Sequence, residues 1–118
     1  MSDTYKHLEI WKESISLAED VYSLTKKYPK DELFNFVSQL RRASISIPSN
    51  IAEGSSRRSK KDYSRFIEIA TGSLYEVESL LELSKNLGFI EIDAYDKMTI
   101  KITLIANKLG AFRRYLNS

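Results

Sequence analysis

The chain has 118 residues, a formal net charge of +2 and 42% apolar residues, which suits one folded domain. It contains no cysteine, so the sequence excludes disulfide frameworks, cysteine-ligated zinc and cysteine nucleophiles. The N-terminus lacks the apolar core of a secretory signal, and no uncharged apolar run approaches the roughly 20 residues of a membrane span. We therefore expect a cytoplasmic protein with no membrane partner. The scarcity of glycine (4) and proline (2) favours a few long helices over a sheet.

The first two predicted helices cover residues 6–27 and 31–54, and a Tyr-Pro pair separates them. Apolar residues at spacings of three and four define the core seam of each helix. The first seam is Leu8, Trp11, Ile15, Ala18, Tyr22 and Thr25, and the second is Val37, Leu40, Ser44, Ile47 and Ile51. Pro48 lacks a backbone N–H, so we expect a kink there, with Ser44 or Asn50 bonding the freed backbone groups. Gly54 is the expected stop.

The third and fourth helices are predicted over residues 60–87 and 94–116. Their seams are Tyr63, Phe66, Ala70, Leu74, Val77, Leu81 and Ser84, and then Tyr95, Met98, Ile102, Ile105, Leu109, Phe112 and Leu116. Gly88 is expected to end the third helix, and Asp93 to cap the fourth. Gly72 interrupts the third helix, and we attribute it to the close approach of a neighbouring helix.

The predicted loops are short, with about four, five and six residues. Short loops make consecutive helices antiparallel. A seven-residue apolar period favours shallow left-handed crossings. The predicted fold is therefore all-α: one domain, residues 1–118, forming an antiparallel up-down-up-down left-handed four-helix bundle whose helix 2 is kinked at Pro48.

A second set of apolar residues lies outside the seams. On the first and third helices these residues adjoin the seam, and we interpret them as part of a wide buried face. They are Ile10, Leu17, Val21, Leu24 and Tyr28, and Ile69, Leu80, Leu83 and Leu87. On the fourth helix, Ile100, Leu104, Ala111 and Tyr115 fall roughly 160–220° from the seam, at about 100° per residue. Exposed apolar stripes usually mark interfaces, so this one predicts self-association.

The sequence offers no set of catalytic or metal-binding residues. His7 is the single histidine, and we interpret it as a solvated side chain near the N-terminus. Nucleophile-elbow and phosphate-loop motifs are missing, as is the Glu-x-x-His pair of helical di-metal sites. We interpret the acidic residues of helix 3 as a solvated face. They are Glu68, Glu76, Glu78 and Glu82. We expect no enzyme activity, no metal, no cofactor and no small-molecule substrate.

A basic cluster lies at the start of the third helix. It comprises Arg57, Arg58, Lys60, Lys61 and Arg65, with one acid, Asp62, among them. Helix N-termini favour phosphate because they present free N–H groups and the positive end of the helix dipole. Two interpretations stay open at this point: an ordinary solvated loop, or a surface that contacts the phosphate backbone of a nucleic acid.

Helix 2 carries a polar row opposite its seam. The row is Gln39, Arg42, Ser46, Ser49, Asn50 and Glu53. Arg42 and Glu53 share a face but lie three turns apart, so they suit pairing between chains better than within one. Arg41 belongs either to this interface or to the basic surface. The candidate subunit interface is thus Arg41, Arg42, Asn50 and Glu53 with the apolar stripe of helix 4, and plain solvent exposure of the row is the alternative.

Five strings in order connect the sequence to a family: LEIW at 8–11, YP at 28–29, QLRRA at 39–43, SIPSNIAEG at 46–54 and ATGSLYE at 70–76. On these strings the chain resembles, over nearly its whole length, the four-helix-bundle proteins encoded in intervening sequences of 23S ribosomal RNA genes. The resemblance implies a cytoplasmic bacterial protein that forms an antiparallel bundle. It also implies a closed homo-oligomeric ring with five-fold symmetry, a homopentamer.

The sequence-based hypothesis is a non-enzymatic, ring-forming bundle that contacts RNA through its basic residues. The alternative is a protein-binding scaffold whose oligomer recruits a partner protein. The two differ in salt dependence, because phosphate contacts release counterions and weaken steeply with added salt.

Overall fold

A computed structural model describes residues 5–118. Over that range the chain forms four α-helices and no strand, which confirms the predicted four-helix fold. The helices are α1 (Glu9–Thr25), α2 (Ser38–Gly54), α3 (Lys60–Asn86) and α4 (Ile92–Leu116). Each packs against the next in the chain, and α1 also packs against α4. Within this range no helix is long and apolar enough to cross a membrane.

Pairs of side chains show how α1 and α4 run past one another. Lys101 bonds Asp20, whereas Lys108, two turns further along α4, bonds Glu13 at 2.7 Å, earlier in α1. Positions therefore rise along one helix as they fall along the other, so α1 and α4 are antiparallel.

The pairing of α3 with α4 follows the same order. Tyr95 at the start of α4 donates a hydrogen bond to Glu82 near the end of α3. Arg113 near the end of α4 bonds Glu68 in the first half of α3. These two helices are antiparallel as well. The left-handed crossing of the bundle stays a prediction.

The buried face of α1 differs from the predicted seam. Ile10, Leu17 and Val21 are buried, which agrees with their interpretation as part of a wide buried face. Of the predicted seam, Thr25 is buried, and Leu8 and Trp11 are partly buried and pack against the core. The prediction is wrong at Ile15, Ala18 and Tyr22, which are partly or fully exposed and lie outside the core cluster. Both faces are apolar, but the observed rotation also brings Glu13 and Asp20 against the lysines of α4.

Helix 2 begins later than predicted and is irregular at its start. A 3₁₀ turn covers Lys30–Glu32, and a π-helical turn covers Leu33–Val37. Within that turn Phe34 leaves helical geometry, with φ −94° and ψ 15°. The predicted α-helical start at residue 31 is therefore wrong by seven residues. A π turn contains one residue more than an α-helical turn, so it rotates the residues that precede it relative to the face of α2.

Pro48 lies inside α2, which continues unbroken to Gly54. A kink at Pro48 stays a prediction. Asn50 does bond a backbone carbonyl, through Nδ2 at 2.8 Å, but that carbonyl belongs to Ser46. The Ser44 hydroxyl donates to the carbonyl of Arg41 at 2.9 Å.

Three glycines act differently from one another. A Cβ atom built on Gly54 would lie 2.7 Å from Cδ1 of Tyr63 and 2.8 Å from Cβ of Phe66, so α2 and α3 approach closely there. Nothing lies within 4 Å of a Cβ atom at Gly72, so the close approach expected there is wrong. Gly88 follows α3 with φ +80°, a conformation that favours glycine, as its predicted helix-ending role requires.

The start of α4 also departs from the prediction. The helix begins at Ile92, with Glu91 as the N-cap residue and no side-chain cap bond. Asp93 therefore lies inside the first turn, where its negative charge suits the helix dipole.

Candidate functional site

The basic cluster lies at one end of the bundle, where α2 ends and α3 begins. We call it the basic rim: Arg57, Arg58, Lys60, Lys61 and Arg65, all exposed. The hydroxyl of Ser59 accepts a hydrogen bond from the backbone N–H of Asp62 at 3.1 Å, which caps α3. The cap sets where α3 starts, and so it positions the rim residues on the first two turns.

Two rim cations are engaged within the chain. The Arg57 guanidinium bonds Glu53 at 3.2 Å and lies 4.5 Å from the ring centroid of Phe66. The Lys60 ammonium lies 4.5 Å from the ring centroid of Tyr115. Both contacts are at exposed positions, where an ion pair or a cation–π contact is weak.

The other three rim cations have no such neighbour. Among residues 5–118, no acid lies within 4 Å of the charged groups of Arg58, Lys61 or Arg65. On α4, by contrast, Lys108 is held by both Glu9 and Glu13, at 2.9 and 2.7 Å. The hydrogen bond from Lys108, followed by its charge, lowers the pKa of Glu9 below the ordinary value. The rim is thus a concentration of uncompensated positive charge.

An aromatic pocket adjoins the rim. Its volume is about 330 Å³, and Lys60, which belongs to the rim, lines its edge. The pocket is built mainly by Tyr5, His7, Tyr63, Phe112 and Tyr115. These side chains come from the start of the described chain, from α3 and from α4, and only the packing of the bundle brings them together.

The rings of this pocket contact one another. Tyr63 meets Phe112 edge-on, with centroids 5.1 Å apart. Phe112 and Tyr115 are nearly parallel, at 20°, with centroids 6.1 Å apart. The Tyr63 hydroxyl is buried and has no hydrogen-bond partner among the described residues. Burial raises the pKa of Tyr63 further above neutral pH, where a tyrosine hydroxyl is protonated and able to donate in any case.

The apolar stripe predicted on α4 lies at the surface. Ile100 is 65% exposed and Leu104 is 52% exposed, and Ala111 is exposed as well. Tyr115, the fourth predicted member, is 57% exposed but stands against Lys60 at the basic rim. The stripe therefore reaches from the middle of α4 to the aromatic pocket.

The predicted interface residues of helix 2 divide into two kinds. Arg41 is engaged within the chain, since its Nε donates to Thr25 at 3.0 Å and its guanidinium lies over Tyr22. Glu53 bonds Arg57, and the Asn50 side chain is held by Ser46, as described above. Arg42 is exposed and makes no ion pair with any acid of the described range.

A further apolar surface runs along the groove between α1 and α2. Trp11, Ile15 and Ala18 line one part, and Ile45, 45% exposed, links it to a second part at the far end. There Phe34 is 91% exposed. Sequence reasoning placed the α1 residues in the core and missed Phe34. The sequence does indicate an exposed apolar residue in this segment, because four of the five residues 33–37 are apolar and one helical face cannot bury them all.

Comparison with known proteins connects these features to one family. The profile described as "23S rRNA-intervening sequence protein" matches residues 6–111. A crystal structure of a protein of unknown function from the S23 ribosomal protein family of Bacteroides thetaiotaomicron is similar, with a TM-score of 0.79 and 23% sequence identity. The alignment covers 88% of this chain and 97% of that one. A comparison with curated proteins gives no match. The chain belongs to the 23S rRNA-intervening sequence protein family.

Proposed function

We propose that this protein is a non-enzymatic, homo-oligomeric helical bundle that binds RNA through the basic rim. The observation that supports RNA binding most directly is the exposed trio Arg58, Lys61 and Arg65, which has no acidic neighbour among the described residues. Lys108 and Lys101 of α4 are paired with acids of α1. The three rim cations, by contrast, lie within eight residues that contain one acid, Asp62. Uncompensated cations at a helix N-terminus are suited to phosphate groups.

The exposed stripe of α4 supports the oligomeric part of the proposal. A bundle helix turns one side to its own core, and α4 already buries Met98, Ile102 and Ile105 there. Ile100 and Leu104 are 65% and 52% exposed, so covering them in a subunit interface would gain roughly half of the about 1.5–3 kcal/mol that full burial of an exposed side chain gives. Most oligomers have closed symmetry, and a ring of subunits, such as a homopentamer, would cover Ile100 and Leu104 in every copy.

Fluorescence polarisation with a labelled 20-nucleotide RNA tests the RNA-binding part. The variant carries Arg58→Glu, Lys61→Glu and Arg65→Glu. A matched control carries Lys26→Glu, Lys27→Glu and Lys30→Glu, three exposed lysines in the segment between α1 and α2. Both variants change the net charge equally, from +2 to −4. We expect the rim variant to bind much more weakly and the control to keep most of its affinity. Equal losses would mean that only net charge matters, and that outcome would reject the rim.

A protein-binding scaffold is the second candidate, and Phe34 favours it. An aromatic side chain that is 91% exposed, beside Leu33 and Ile45, resembles the anchors that dominate protein–protein contacts. Binding of a partner protein at this surface would depend on Phe34 and only weakly on salt. Phe34→Ser should then abolish partner capture from a cell extract while leaving RNA polarisation unchanged. Capture that persists in this variant rejects the Phe34 surface as the scaffold site.

A further inference from the structure

The aromatic pocket has a chemistry that simple phosphate binding does not require. Tyr63, Phe112 and Tyr115 present flat aromatic surface in a cavity of about 330 Å³, a volume at the lower end of small-ligand pockets. Lys60 belongs both to this pocket and to the basic rim. A ligand bound here would therefore have a planar apolar part in the pocket and a negative part on the rim.

One polar group of a residue that lines the pocket favours a ligand with hydrogen-bonding edges. The Tyr63 hydroxyl is buried and unpaired within residues 5–118. A buried hydroxyl without a partner is costly, so a ligand atom or a water molecule that bonds it would be favoured. His7, exposed at the edge of the pocket, offers a second polar group.

We propose that the pocket holds one unpaired base of an RNA whose neighbouring phosphates lie on the basic rim. A nucleobase has the flat ring that stacks on tyrosine and the polar edge that reaches the Tyr63 hydroxyl. A base inside a duplex is already stacked and cannot enter. The protein therefore prefers single-stranded RNA to duplex RNA of the same length. This inference rests on the proposed RNA-binding function and specifies its substrate class.

Lys60 connects the two parts of the binding site. In the free protein its ammonium lies 4.5 Å from the ring centroid of Tyr115. The contact is weak because Tyr115 is 57% exposed. On RNA binding, Lys60 moves from the ring to a phosphate oxygen, and the base takes its place on the ring. Stacking and charge pairing then occur together.

Competition between single-stranded and duplex RNA tests the inference, with Tyr115→Ala and Tyr75→Ala as a matched pair. The two tyrosines are similarly exposed, at 57% and 54%, but Tyr75 does not line the pocket. Tyr115→Ala should weaken single-strand binding roughly 5- to 150-fold, the range expected for one stacked base, and duplex binding hardly at all. Tyr75→Ala should change neither. Light scattering checks that both variants keep the wild-type oligomeric state.

Tyr63→Phe is a second, gentler variant because it keeps the ring and removes only the hydroxyl. It should weaken single-strand binding by about 2- to 12-fold, as for one hydrogen bond. A 2-aminopurine base in the RNA should change its fluorescence on binding wild type and not on binding Tyr115→Ala. Equal affinity for single-stranded and duplex RNA, with no effect of Tyr115→Ala, overturns the pocket but leaves the rim intact. No RNA binding at low salt overturns both.

Discussion

Gly54→Ala should destabilise the bundle although alanine is the better helix former. The residue ends α2 where α3 approaches closely, and an added Cβ atom would meet Tyr63 at 2.7 Å and Phe66 at 2.8 Å. Ordinary contacts between carbon atoms are about 3.5–4.0 Å. The Phe66 contact is to Cβ, next to the backbone, so side-chain rotation cannot relieve it. Helix α3 itself must shift.

The magnitude follows from two opposing effects. Overpacking at a tight contact costs about 1–3 kcal/mol. Replacing glycine by alanine inside a helix gains at most about 1 kcal/mol, and less at its last residue. The net loss should be about 1–2 kcal/mol in the free energy of unfolding. Urea denaturation followed by circular dichroism at 222 nm measures it.

Gly72→Ala is the matched control, since it makes the same chemical change where no atom lies within 4 Å of the new Cβ. Gly72 is in the interior of α3, so the substitution should stabilise by about 0.5–1 kcal/mol. The two variants should therefore move stability in opposite directions. A Gly54→Ala protein as stable as wild type would refute the close approach of α2 and α3.

Three other predictions concern the exposed surface of α4, the Lys108–Glu9 ion pair and the cap of α3. We expect the wild type to be an oligomer larger than a dimer in multi-angle light scattering, and Leu104→Glu should shift it to smaller species. Thr103→Glu, at the adjacent exposed residue, should not. A monomeric wild type at micromolar concentration would reject the interface. Lys108→Met should reduce the pH dependence of the free energy of unfolding in acid. The lowered pKa of Glu9 stabilises the fold above the ordinary glutamate pKa, and this stability is lost as the pH falls through the pKa of Glu9 in the folded protein. Identical acid profiles of the variant and the wild type would contradict this prediction. Ser59→Ala should cost about 1 kcal/mol by removing the α3 cap, and an unchanged urea midpoint would show that the cap contributes nothing.

Sequence periodicity predicted α3 and α4 well because their apolar seams are long and regular. The predicted ends, residues 60–87 and 94–116, compare with the observed Lys60–Asn86 and Ile92–Leu116. The outward orientation of Ile100 and Leu104 also follows from spacing alone, since both lie away from a seam that is unambiguous. Long amphipathic helices leave few alternatives for which side is buried.

The rotation of α1 could not be predicted in this way. Its two apolar faces, one with Trp11 and Ile15 and the other with Ile10 and Leu17, are similarly hydrophobic. The observed rotation coincides with contacts to α4, where lysines meet the acids of α1. Such a preference is a property of two helices together, and the periodicity of one helix does not contain it.

The π turn at Leu33–Val37 and the aromatic pocket were missed for related reasons. A π turn depends on backbone hydrogen bonds to a residue five positions away, and its residues have no distinctive composition. The pocket joins Tyr63 with Tyr115, residues about fifty positions apart, which were assigned separately to the core and to a subunit interface. Only the antiparallel packing of α3 and α4 shows that they share one cavity.

The salt dependence of RNA binding tests the central proposal most directly. Single-stranded RNA that contacts the three uncompensated cations should bind with a slope of log affinity against log salt of about −2 or steeper, because each contact contributes about −0.7. Titration of labelled RNA by fluorescence polarisation between about 50 and 300 mM salt measures the slope. We predict that the Arg58, Lys61 and Arg65 reversal flattens the slope, whereas the Lys26, Lys27 and Lys30 reversal leaves it nearly unchanged. No affinity at 50 mM salt, or the same slope in both variants, would contradict RNA recognition by the rim.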